Sequence, residues 1–242
     1  MSFADALSLI NYTFVLFFGV CASFELADFP FLAHKKLYLL SLLGFGSAQL
    51  LCYLFLGETM VYRGYPLLIH LPLILLIHFV LHRNLYFSFI AVLSAYLLCT
   101  PRKWLGTLVS FCFDDSPVAA NLTMILVTIP LLLIVTYFFA PYIAKLRYEN
   151  KTTLLLFFLL PLGYYVVEYT FTVYTDLLYT GGAVVVEFTD SFIVILYFIL
   201  SMLSIEFSNQ KNQTERENLL LTAAAQQAKK EVSQLFDSQK QA

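Results

Sequence analysis

The chain has 242 residues, of which 60% are apolar and 12% charged, with 14 basic and 16 acidic side chains and a formal net charge of −2. These proportions exclude a soluble globular domain, which is about 25% charged and needs polar surface to cover itself. Near-neutral charge without a clustered basic face excludes a nucleic-acid binder, so the bilayer is the implied solvent and partner.

A spanning helix needs about 20 mostly apolar residues to cross roughly 30 Å of hydrocarbon. By that ruler seven segments qualify: 6–24, 37–56, 65–81, 85–111, 119–140, 152–174 and 188–207. Lipid offers no hydrogen bonds to an open backbone, so the predicted fold class is all-α, a polytopic bundle of about seven transmembrane helices. The first segment lacks a basic n-region, with Asp5 its only early charge, and reads as a mature span rather than a cleaved leader. Glu25 and Asp28, beside Pro30, read as charges that end it near the inner face.

The third segment carries His70, His78 and His82. At 100° per residue, His78 and His82 share a face and His70 lies about 80° away. Interhelical hydrogen bonding or interfacial placement is the plain reading, with pH sensing or metal binding as the alternative. No carboxylate or cysteine stands at metal-ligand spacing, so no metal site is assigned. The four cysteines, Cys21, Cys52, Cys99 and Cys112, are scattered in or beside apolar runs and read as small apolar residues.

Thr100-Pro101-Arg102-Lys103-Trp104-Leu105-Gly106 interrupts the fourth segment. Proline removes a backbone donor and a cation costs about 3 kcal/mol at the bilayer centre, so a kink facing protein, water or the outer interface is expected. Two readings follow. Either this is an interfacial anchor with Trp104 at the headgroups, or Arg102 points inward, to pair with an acid or hold an anionic ligand group. Glu168, deep in the sixth segment within Pro161-Leu162-Gly163-Tyr164-Tyr165-Val166-Val167-Glu168-Tyr169, is the natural acid. A protonated Glu168 acting as structural glue is the other reading. The candidate ligand-binding set is therefore Arg102, Lys103, Glu168, Tyr165 and Tyr169. Pro72, Pro130 and Pro161 mark bends in three further spans.

Lysine and arginine favour cytoplasmic loops. Alternating the loops places 11 of the 14 basic residues on one side, including Lys35, Lys36, Arg83, Lys145, Arg147 and Lys151. Arg63, Arg102 and Lys103 fall on the other. The expected localisation is a cell membrane, with the amino terminus outside and the carboxyl terminus cytoplasmic. The outer loops 57–64, 114–118 and 175–187 are too short to form an extracellular domain.

Composition changes after Phe207, dividing the chain into a membrane domain, 1–207, and a cytoplasmic tail, 208–242. The tail has no proline or glycine and is rich in helix formers, predicting one helix that continues the last span. Leu221, Ala224, Ala228, Glu231 and Leu235 follow seven-residue spacing, with Val232 beside them. Either this is a weak coiled-coil seam in a parallel homodimer, or a solvated amphipathic helix. The end, Ser238-Gln239-Lys240-Gln241-Ala242, carries no stop signal and reads as truncated before a further module.

With an outside amino terminus, several spans without an extracellular domain, the Pro101-Arg102-Lys103-Trp104 stretch and a Gln/Lys/Glu-rich helix leaving the last span, the chain resembles the sensory half of a GHKL-type sensor histidine kinase. That class includes the peptide quorum-sensing receptors of the accessory gene regulator system. The resemblance implies signal transduction in a two-component system: a small-molecule or peptide signal, a homodimer, a kinase module using ATP and Mg, and a response regulator downstream. The chain departs from the family where catalysis belongs. Its last histidine is His82 and its last glycine Gly182, so it carries no phosphoacceptor, no ATP lid, no catalytic residue and no cofactor of its own. A small transporter or channel remains open, although no inverted repeat is visible. A membrane peptidase also remains open, and would need Cys99 beside His78 or His82.

Overall fold

The computed structural model describes residues 3–148, 151–170 and 183–241, and the regular elements among them are all helical. Helix α1 spans Phe3–Leu26 and α2 spans Phe31–Leu56. Helix α3 starts as Glu58–Tyr65 and continues through two π-helical turns, Pro66–His70 and Leu76–Val80, flanking Leu71–Leu75. Helix α4 is Leu85–Phe111. Helix α5 runs from Pro117–Ile134 through a π-helical turn at Val135–Phe139 to Ala140–Lys145. Helices α6 and α7 are Lys151–Glu168 and Ala183–Gln241.

Among the described residues, six helices are long and apolar enough to cross a membrane, and α6 adds a shorter apolar stretch, Thr153–Glu168. The chain is a multi-pass helical membrane protein. Its radial pattern agrees with lipid as solvent: Leu40, Leu43, Leu54 and Phe55 of α2 and Leu126 and Phe138 of α5 face outward, whereas Ser94, Arg102, Thr128 and Glu168 are buried. Water would demand the reverse. The sixth predicted span reaches to residue 174, and its last four residues lie outside the described ones.

Helix α4 sits at the centre, packed by α1, α5, α6 and α3, and α2 lies against α1. Its most apolar stretch is 67% buried, against 11% for that of α2. Gly106 makes the α4–α5 approach possible, because a Cβ there would sit 2.6 Å from Met124 Cγ and 3.0 Å from the Ala120 carbonyl. Both helices are capped at their starts. Asn84 accepts from the Tyr86 N–H at 2.9 Å, and Ser116 precedes Pro117 and accepts from the Ala119 N–H at 3.4 Å.

The expected interruption at residues 100–106 is corrected: α4 is one helix through Pro101. Proline leaves the carbonyl four residues back without its donor. That carbonyl, on Leu97, accepts instead from the Thr100 hydroxyl at 2.7 Å. In α3, by contrast, Pro66 opens the first π-helical turn and Pro72 follows it. An extra residue per turn lets the ladder re-register past a missing donor.

The connections α1–α2 and α3–α4 and the end of α5 meet at one face of the bundle. Asp28, with φ of +65°, accepts from Arg83 Nη2 at 3.3 Å and from Arg147 Nη1 at 3.4 Å. Arg83 also donates from Nε to the Ala27 carbonyl at 3.2 Å and stacks 4.4 Å over the Phe29 ring. Burial, and then neighbouring Arg147, push the Arg83 pKa down, while Asp28 opposes them. Glu25 accepts from the Phe31 N–H at 2.9 Å and so fastens the start of α2.

The chain divides into two units, Met1–Leu196 and Tyr197–Ala242. Helix α7 is continuous across residue 207, where the composition switches.

Candidate functional site

Helix α4 brings Cys99, Thr100, Arg102 and Lys103 to a cavity of about 390 Å³ that lies among α1, α3, α4, α5 and α6. Helix α1 supplies Ser8, Asn11, Tyr12, Val15, Gly19 and Ser23, and α5 supplies Asn121 and Met124. Tyr65, His70 and Leu73 enter from α3, and Glu168 and Tyr169 from the end of α6.

Arg102 is 2% exposed. Its Nη2 donates to Asn11 Oδ1 at 2.7 Å, its Nε to the Met124 carbonyl at 3.2 Å, and its Nη1 reaches Cys99 Sγ at 3.5 Å. Asn11 in turn donates to Asn121 Oδ1 at 3.0 Å and approaches Met124 Sδ at 3.3 Å, and Asn121 donates to the Pro117 carbonyl at 3.0 Å. These bonds tie α1, α4 and α5 together around one buried cation whose hydrogen-bond partners are neutral.

Glu168 is buried in the same cavity. The expected Arg102–Glu168 pair is not formed: the guanidinium reaches Asn11, Met124 and Cys99 instead. Around His70 lies a cluster of rings. Tyr65, Tyr96 and Tyr165 have centroids 5.0, 5.3 and 5.3 Å from the imidazole, all near edge-to-face. The Tyr165 hydroxyl and His70 Nδ1 are 2.7 Å apart, and Tyr165 and Tyr169 rings are 4.7 Å apart. Such pairs are worth about 0.5–1.5 kcal/mol beyond their area, and Tyr65, His70, Tyr96 and Tyr169 of the cluster line the cavity.

Of the predicted set, Arg102, Lys103, Glu168 and Tyr169 line the cavity directly, and Tyr165 reaches it through His70. Asn11, Asn121, Tyr96 and Ser23 were missed. The two asparagines were legible as amides within apolar runs, a costly placement that calls for partners. The histidines part company: His78 Nδ1 lies 2.7 Å from the Arg83 carbonyl, at the Asp28 face. Cys99 is fourteen residues into α4 from Leu85, about 21 Å along the axis. Cys99 and His78 therefore do not make the dyad a peptidase would need. In the tail, Leu221 and its neighbours Leu219 and Leu220 are exposed, as are Ala224 and Ala228. The Leu235 side chain lies outside the described residues.

Comparison of the chain with protein families, with curated proteins and with solved structures finds no match.

Proposed function

We propose that the protein is the membrane-embedded sensory region of a GHKL-type sensor histidine kinase, in which a ligand held among the helices sets the state of the α7 tail. The observation that carries this reading is the single helix α7, Ala183–Gln241, in which an apolar segment is followed by a polar tail. A continuous helix passes rotation or sliding along its length. A ligand moves such an equilibrium only through different affinities for the two packings, and a cavity within the bundle, lined by the buried Arg102 and Glu168, offers a place for that difference to arise.

In this reading the bundle has seven spans and sits in the cell membrane with its amino terminus outside. The tail pairs with that of a second copy through Leu221, Ala224, Ala228 and Leu235. Three consecutive exposed leucines, Leu219, Leu220 and Leu221, support a partner helix, and small alanines keep the seam adjustable. The kinase module, appended or associated, takes the ATP and Mg and passes the signal to a response regulator.

Inserting one to four alanines after Phe207, with a catalytic half fused to the tail, tests the lever. Kinase activity that rises and falls with the helical period is expected. A flat response refutes rotation or sliding as the output. Ligand flux across proteoliposomes would move the protein to the transporter class.

A further inference from the structure

We propose that the cavity selects a bipolar amphipathic acid: a carboxylate seated on Arg102, an acyl chain along α1, and a hydrogen-bonding group at the far end against Ser23. This rests on the reading of the bundle as a ligand-binding sensor and names the ligand's class.

Charge fixes the head. Arg102 lines the cavity as a buried cation whose hydrogen-bond partners are all neutral. Arg102 spends three of its five N–H groups on neutral partners. The others suit a carboxylate, which guanidinium groups bind in a fork.

The wall fixes the middle. Apolar side chains, Val15, Ile69, Leu73, Val92 and Ala95, share the lining with the Tyr65, His70 and Tyr96 ring cluster. Gly19 opens the space further, since a Cβ there would meet nothing within 4 Å. Asn11 and Ser23 are twelve residues apart on α1, about 18 Å along its axis, a reach suited to an extended dodecanoyl chain once side chains at both ends are counted. A volume of about 390 Å³ falls in the small-ligand range of roughly 300–1,000 Å³.

Ser23 fixes the tail. It is 1% exposed and belongs to the lining of this cavity, and its hydroxyl is buried without a hydrogen-bond partner. A buried hydroxyl left unpaired is unfavourable, and a hydroxyl or carbonyl at the far end of the chain would satisfy it.

The test uses the whole chain in phosphatidylcholine vesicles, with ω-hydroxydodecanoate as probe. Trp104, the only tryptophan, two residues from Arg102, is the fluorescent reporter. Saturable binding is expected, weakened about tenfold or more for the methyl ester and in Arg102→Gln. Plain dodecanoate should bind several-fold more weakly, and Ser23→Ala should erase that difference. Two variants guard against misfolding. Gly19→Leu fills the cavity and leaves the Arg102 network intact, and Asn11→Asp gives the guanidinium a resident carboxylate; both should abolish binding. Ester binding equal to that of the acid, or unchanged affinity in Gly19→Leu, overturns the proposal. If the acid fails to bind while Gly19→Leu still alters output from the fused kinase, the ligand class falls and the sensor reading stands. If the acid binds and output ignores it, the sensor reading falls and the ligand class stands.

Discussion

Asn11 holds the Arg102 network together, and replacing it by leucine measures what the network is worth. The substitution keeps the approximate volume and removes the acceptor 2.7 Å from Arg102 Nη2 and the donor 3.0 Å from Asn121 Oδ1. A hydrogen bond to a charged group contributes about 1.5–3 kcal/mol, and a neutral interhelical one in a membrane protein about 0.6 kcal/mol. The expected loss is about 2–4 kcal/mol, because the guanidinium stays buried. At roughly 2–4 °C per kcal/mol for a chain of this size, Tm should fall by about 4–16 °C. Thermal unfolding in detergent, followed by a thiol-reactive dye that reports the buried Cys21, gives the measurement. The double variant Asn11→Leu/Arg102→Leu should melt above Asn11→Leu alone, since removing the stranded charge costs less than keeping it. A single variant that melts within a degree of the parent, or a double variant less stable than Asn11→Leu, refutes the reasoning.

Thr100→Val should destabilise by about 1 kcal/mol, by stranding the Leu97 carbonyl that Pro101 leaves open. Adding Pro101→Ala should abolish that penalty, because the alanine N–H takes over the same acceptor; the Tm of the two variants checks both steps. Gly106→Leu should cost about 1–3 kcal/mol by overpacking against Met124 and Ala120. The same change should weaken ω-hydroxydodecanoate binding, since it pushes on Met124, whose carbonyl accepts from Arg102 Nε, and Trp104 titration reads that effect.

The positions of the apolar helices were legible because lipid imposes a length and a composition together. Helix α4 coincides with its predicted bounds, 85–111, where Asn84 and the acidic pair after Phe113 frame an apolar run. What misled was Pro101. A proline-based rule counts the lost donor, and the preceding threonine hydroxyl that replaces it is visible only once the helix is built. The π-helical turns of α3 were hidden for the same reason, since apolar periodicity barely distinguishes one extra residue per turn. In the site, pairing Arg102 with Glu168 followed from counting charges alone. The structure meets that cation with one amide, a sulfur and a carbonyl; neutral partners carry no signature in a charge count. Neither the exposed Asp28 nor the buried Ser23 differs in sequence from an ordinary loop acid or helix serine.

The two polar clusters lie at different levels of the same helices, and their contrast bears on how a ligand would act. Near the starts of α1 and α5, Arg102 is joined to Asn11 and Met124 by bonds between neutral groups and a single cation. At the other end of α1, Asp28 is held by two arginines, and Arg83 is further fixed by a carbonyl and a ring. An ion pair with a half-exposed carboxylate contributes up to about 1 kcal/mol, but here it closes three connections at once, and their relative motion must break both bonds. An anion entering beside Arg102 competes only with neutral partners. In the proposed sensor the Asp28 face is therefore the pivot and the Arg102 level the part that moves: adjusting α1, α4 and α5 around a new carboxylate costs single hydrogen bonds there, whereas the same displacement at Asp28 costs the clamp.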